Sequence, residues 1–130
     1  MATYLLDTSV IIDVLNNKRD RKRLLLDLLS DNHILACCPI NIAEIYAGMR
    51  PKEEASTEAF LQSLELYPIS WPVAQMAGEL KRDYSRKGKT LNLGDAIIAA
   101  VALHNQLALI TDNAKDFPMP KLHLYPLPSV

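Results

Sequence analysis

Residues 3–13 read Thr3-Tyr4-Leu5-Leu6-Asp7-Thr8-Ser9-Val10-Ile11-Ile12-Asp13, and this stretch decides the fold. Thr3 to Leu6 has the short, mostly apolar character of a strand covered on both faces. From Ser9 to Leu15 the pattern changes to that of a helix. Asp7 stands at the junction, so its carboxylate should project from the carboxyl-terminal edge of a sheet. Further along, the same alternation of short apolar runs and longer amphipathic segments repeats. Ile34 to Cys38, Leu66 to Ser70, Leu107 to Thr111 and Leu122 to Tyr125 are the other expected strands. Helices are expected over Arg21 to Leu29, Asn41 to Met49 and Thr57 to Leu66, from Pro72 to a stop at Gly88, and over Asp95 to His104. The last of these is apolar nearly all round, as a helix buried against a sheet must be. Strand and helix alternating in this way imply right-handed crossovers and a three-layer α/β/α sandwich on a mainly parallel sheet of four to five strands. Functional side chains then belong at the sheet's carboxyl edge.

With 130 residues, 49% hydrophobic, the chain is expected to form one domain over residues 1–130. It has no apolar run of the length of a membrane span and no secretory leader pattern, so a cytoplasmic protein with no membrane contact is expected. Cys37 and Cys38 are adjacent in an apolar stretch, which excludes a disulfide framework and suits small buried side chains. Fourteen Lys and Arg against fifteen Asp and Glu give a net charge of −1, which rules out a globally basic coat for nucleic acid but permits a local patch. The basic residues concentrate in Lys18-Arg19-Asp20-Arg21-Lys22-Arg23 and in Lys81, Arg82, Arg86, Lys87 and Lys89. Either cluster can hold phosphates or simply be a solvated face. Aromatics make up only 6%, too few for an extended base-stacking platform. Tyr46, Met49 and the helix from Thr57 to Leu66 are candidates for a dimer or partner surface.

The acids carry the chemistry. Glu44 is expected in the first turn of a helix opening at Asn41, and Asp95 in the first turn of a helix opening near Asn92. Asp112 and Asp116 follow the strand Leu107 to Thr111, flanking Asn113. Asn41 to Glu44 and Asn92 to Asp95 have the spacing of capping boxes, and an acid in a first turn complements the helix dipole, so each residue alone reads as a cap before it reads as a catalyst. Asp7 has no such box, yet the topology brings it beside the others. Carboxylates at ~4 Å and an effective dielectric of ~20 repel by about 4 kcal/mol per pair. A hard divalent cation relieves that repulsion, because Mg²⁺ and Mn²⁺ prefer oxygen ligands. His33, His104 and His123 lie away from the acids and lack the spacing of zinc ligands.

The blocks Leu5-Leu6-Asp7-Thr8-Ser9-Val10-Ile11-Ile12-Asp13, Asn41-Ile42-Ala43-Glu44, Leu93-Gly94-Asp95-Ala96-Ile97-Ile98-Ala99-Ala100-Val101-Ala102 and Leu109-Ile110-Thr111-Asp112-Asn113-Ala114-Lys115-Asp116-Phe117 resemble, in order and spacing, the PIN-domain proteins, in particular the VapC-like toxins of toxin–antitoxin pairs. The resemblance covers nearly the whole chain. It implies an α/β/α sandwich and an endoribonuclease that depends on Mg²⁺, with Mn²⁺ as a substitute. It further implies RNA as substrate, inhibition by a cognate antitoxin, and a homodimer. The catalytic acids would map onto Asp7, Glu44, Asp95 and Asp116, with Asp7 and Asp95 holding the metal and Thr8 or Ser9 as a polar helper. The sequence departs from the pattern at Asn113, where the family often has its fourth acid. Asp116 is favoured over Asp112 for that role because the Asp116-Phe117 pair lies in the family's terminal motif. The departure also gives the alternative its force: a catalytically degenerate PIN-like module that binds RNA or an antitoxin without cleavage. A dehalogenase-type phosphotransferase needs a second Asp where Ser9 stands. A receiver domain needs an Asp at the end of the third strand, and Leu66 to Ser70 offers none.

Overall fold

The computed structural model describes residues 1–127, so the last three residues of the expected domain lie outside the described residues. Strand β1 (Thr3–Leu6) runs into helix α1 (Thr8–Leu15) and then α2 (Arg21–Ser30), followed by β2 (Ile34–Cys37), α3 (Pro39–Gly48), α4 (Glu54–Gln62) and β3 (Glu65–Leu66). The chain continues through α5 (Trp71–Arg86) and α6 (Leu93–Asn105) to β4 (Ala108–Ile110), with short 3₁₀ turns at Pro51–Glu53 and Ala114–Asp116. The four strands form one sheet in the order β3-β2-β1-β4. Every pairing is parallel, and Leu5 lies opposite Ala36 on one side and Leu109 on the other.

Alternation along the strands builds two cores. Leu5, Ala36 and Leu109 face α5 and α6 and pack with Val73, Ala77, Ile98 and Val101. Leu6, Leu35, Cys37 and Ile110 face the opposite layer and pack with Val10, Ile11, Leu25, Ile45 and Leu61 of α1 to α4. Helices therefore cover both faces of a parallel sheet, the expected α/β/α sandwich. The small side chains Ala96, Ala99, Ala100 and Ala102, none of them exposed, seat α6 against the sheet. Cys37 and Cys38 are free and buried, in opposite cores. No helix is long and apolar enough to cross a membrane among the described residues.

Several boundaries differ from expectation. The strand expected over Leu66 to Ser70 is only Glu65–Leu66. Tyr67 still donates its amide to the Cys37 carbonyl at 2.8 Å, and Pro68 then has no N–H to continue the ladder. The strand expected over Leu122 to Tyr125 reduces to one parallel bridge between Leu109 and Leu124. The helix expected over Thr57 to Leu66 begins three residues earlier, out of the 3₁₀ turn that Pro51 opens, and ends at Gln62. Helix α3 begins at Pro39, with Cys38 rather than Asn41 as its N-cap. Asn41 is consequently the third helical residue, and Glu44 sits in the second turn rather than the first.

The chain leaves β1 toward β2 through helices on one face and reaches β4 through helices on the other. Adjacent strands whose connections diverge to opposite faces leave a crevice at their carboxyl ends. In this sheet that crevice opens between β1 and β4, beside Asp7 and Thr111.

Candidate active site

Asp7 is the first residue after β1, and its N–H donates to the Ile110 carbonyl at 2.9 Å, which extends the β1–β4 pairing to the sheet edge. It is also the N-cap of α1: its Oδ1 accepts the Thr8 N–H at 2.8 Å. The other oxygen, Oδ2, accepts the Thr111 hydroxyl at 2.7 Å and the Ser9 hydroxyl at 3.1 Å. Asp7 is only 5% exposed. Burial pushes its carboxyl above the usual carboxylate range, the bonds from Thr111, Ser9 and the Thr8 amide pull it back, and Glu44 adds a smaller upward push.

Glu44 reaches the same place from α3. Its Oε1 accepts the Thr8 hydroxyl at 2.6 Å. Thr8 in turn accepts a bond from the Asn41 amide at 2.9 Å, while the same Asn41 nitrogen donates to the Leu6 carbonyl at 3.3 Å and its Oδ1 accepts the Cys38 N–H at 2.8 Å. Asn41 is fully buried, and its side chain ties the ends of β1 and β2 together while orienting Thr8. The capping asparagine of the sequence pattern is therefore a brace.

Asp95 sits in the first turn of α6, whose N-cap Asn92 accepts the Gly94 N–H at 2.8 Å. Among the hydrogen bonds of the described residues none reaches the Asp95 carboxylate, so the return bond of a capping box is missing. Its carboxyl is pushed up to about 6, first by burial and then by Asp7, Asp116 and Glu44. A methyl group on Gly94 would lie 2.8 Å from Glu44 Oε2, so α6 approaches closely enough that any side chain there would displace the Glu44 carboxylate. Asp116 ends the second 3₁₀ turn, half-buried.

Asp7, Glu44, Asp95 and Asp116 thus gather at the switch point, and among the described residues none of them forms an ion pair with Lys or Arg. Asp112 does not join them: Arg21 takes both of its oxygens. Asn113 lies nearer, with its side-chain amide donating to Ser9 Oγ at 3.4 Å. Among the described residues no three His, Cys, Asp or Glu side chains stand close enough to enclose an ion. The donor set nevertheless suits a hard cation, since the four acids offer oxygen ligands and, among the described residues, none of them is paired with a cationic side chain. Two residues that hold the site together, Thr111 and Asn41, were not legible as such. The only signal was their place beside the acids, because a hydroxyl closing a strand and an asparagine opening a helix are common for local reasons.

Of the two basic clusters, the first loses Arg21 to the interior. In the second, Lys81 Nζ donates to the Leu91 carbonyl at 2.6 Å and Lys89 Nζ to the Lys115 carbonyl at 3.1 Å. These bonds bring ammonium groups to the segments leading into Asp95 and Asp116.

A parallel α/β/α sandwich with carboxylates from four separate stretches of chain at its switch point defines a class of α/β protein with an acidic crevice at the sheet's carboxyl edge. Within that class the chain belongs to the PIN domain family, whose profile matches residues 4–118. It is 30% identical over 115 residues to the ribonuclease VapC19 of Mycobacterium tuberculosis, covering 88% of this chain and 92% of the relative. Its fold is similar to that in the crystal structure of VapBC2 from Rickettsia felis bound to a promoter DNA fragment, with a TM-score of 0.83 at 28% identity over 95% of this chain and 97% of that one. It is also similar to a chain of a toxin–antitoxin complex from Klebsiella pneumoniae, with a TM-score of 0.74 at 30% identity over 92% and 94% of the two chains.

Proposed function

We propose that this chain is a divalent-metal-dependent endoribonuclease, the toxin of a toxin–antitoxin pair, working from Asp7, Glu44, Asp95 and Asp116. The observation that carries the reading is the convergence of these four carboxylates at the switch point without a cationic partner, in a chain whose relatives are ribonucleases. Asp7 and Asp95 hold the metal, Mg²⁺ with Mn²⁺ as a substitute. Once bound, the ion supplies Lewis-acid stabilisation of charge on the phosphoryl and leaving oxygens and lowers the pKa of water beside it.

The rest of the work falls to the protein. Thr111, Ser9 and the Thr8 amide fix the orientation of the Asp7 carboxylate, so that its charge faces the crevice without rotamer loss. Glu44, exposed and aimed by Thr8, either completes the ligand shell or accepts the proton of the attacking water. Asp116 adds negative charge from the β4 side, and Lys81 and Lys89 line the approach for the RNA backbone.

In this reading the chain works in the cytoplasm as one domain and as a homodimer, held in check by a cognate antitoxin, as the chain in the Klebsiella complex has a partner. The test is cleavage of a mixed RNA pool with and without Mn²⁺, beside Asp7→Asn and Asp95→Asn. Metal-dependent cutting that falls by about 100-fold or more in both variants supports the reading. RNA or partner binding with no metal-dependent cutting points instead to the binding module.

A further inference from the structure

We infer that Arg21 is a positioning residue for the site, acting through Asp112 on the turn that carries Thr111 and Asn113. The inference rests on the nuclease reading above. Arg21 opens α2, yet its side chain is only 2% exposed and Asp112, which it grips, is 9% exposed. The grip is two-pronged: Nη2 donates to Asp112 Oδ1 at 2.5 Å and Nε to Oδ2 at 3.3 Å, while Nη1 donates to the Arg19 carbonyl at 3.3 Å. A planar guanidinium fork fixes a carboxylate in direction as well as distance.

The backbone is bent to make this contact. Between α1 and α2, Asn17, Arg19 and Asp20 all take positive φ, at 54°, 58° and 55°. Non-glycine residues rarely adopt that region, and three within four positions place an otherwise solvated arginine inside the molecule.

What Asp112 holds lies on either side of it. Thr111 donates its hydroxyl to Asp7, and the Asn113 N–H donates back to Thr111 Oγ1 at 2.9 Å. The Asn113 amide reaches Ser9, itself a donor to Asp7. Both hydroxyls that orient Asp7 are thus tied to a turn that the Arg21–Asp112 pair anchors to the start of α2. The pairing also keeps Asp112 out of the acid cluster, so a carboxylate adjacent to the site adds no repulsion to it.

The experiment compares the full-length wild type with Arg21→Lys, which keeps the charge but loses the fork, and Asp112→Glu, which keeps the pair but lengthens its arm. Amide exchange at Asn113 is read against the α6 core amides Ala99 to Ala102, Mn²⁺ binding by the resonance of the free ion, and kcat and KM on RNA. The expected result in either folded variant is Asn113 exchange faster by about tenfold with α6 protection retained, a Mn²⁺ midpoint raised about tenfold, and kcat reduced by a similar factor at unchanged KM. Values within about twofold of wild type in a folded variant overturn the inference. So does uniform loss of protection across α6 with an unchanged Mn²⁺ midpoint, which marks a purely structural pair. If the wild type binds Mn²⁺ but leaves RNA intact, the nuclease reading fails, and Asn113 exchange with the Mn²⁺ midpoint still decides the role of Arg21.

Discussion

Asp7 combines two demands that usually separate. It caps α1 and it presents charge to a crevice, and burial opposes the second. The opposition is met by two hydroxyl donors on a single oxygen, of which Thr111 is the shorter and the more buried. Thr111→Val keeps the shape and removes that donor, so it should cut cleavage by about tenfold, in line with ~1.5 kcal/mol for a hydrogen bond to a charged group, while the molecule stays folded. Single-turnover cleavage of a defined RNA reads this. Asp95 supplies a pH signature. Its folded-state carboxyl titrates near 6, above its ordinary value of 3.8, so between those limits the metal-free native state binds more protons than the unfolded chain. Stability must then fall as pH rises through that window. Melting of the metal-free protein at pH 5 and pH 7.5 should show the higher midpoint at pH 5, and Asp95→Asn should remove much of the difference and raise the midpoint at pH 7.5. A midpoint that climbs from pH 5 to 7.5 in both proteins would contradict this assignment.

Helix α6 shows how an element can serve packing and site at once. Its alanines bring it against the sheet, and its first turn brings Gly94 against Glu44. Gly94→Ala should leave stability unchanged or slightly improved, since alanine favours helix by up to ~1 kcal/mol and the clash is with the mobile end of a glutamate. The displaced Glu44 carboxylate should cost about tenfold in cleavage with RNA affinity retained, because a small misplacement at the reacting centre affects the rate. Melting and RNA titration of the same preparation separate the two effects. The elements also mark where the sequence was readable. Long periodic segments such as α5 and α6, and β1 with its flanking acid, announce themselves because burial on a sheet leaves a pattern in composition. The edge elements did not. β3 stops where Pro68 lacks a donor, and Leu124 contributes one bridge where a strand was expected, since edge pairing is set by single hydrogen bonds that apolar content does not encode. Asn41 differs for a similar reason: it caps α3 from the third helical position by accepting the Cys38 N–H, while its nitrogen reaches Leu6 and Thr8 at another strand end.

For the whole molecule, parallel order and divergent crossovers make the β1–β4 crevice the one place where segments 7–9, 41–44, 92–95 and 111–116 can meet. The proximity of the acids was legible because such a topology brings the four spaced blocks to one sheet edge. The Arg21–Asp112 brace was not, since it joins residues 91 positions apart and looks in sequence like part of a solvated basic run. Crowding four carboxylates with no cation makes the apo protein the less stable form, so Mn²⁺ should raise its melting temperature, by the linkage expected of a ligand that binds only the folded state. The most direct test of the central claim is anomalous diffraction from crystals soaked in Mn²⁺. The account predicts a peak within about 2.0–2.6 Å of carboxylate oxygens of both Asp7 and Asp95; crevice density without a peak in fully soaked crystals, or a peak bound elsewhere, would contradict it.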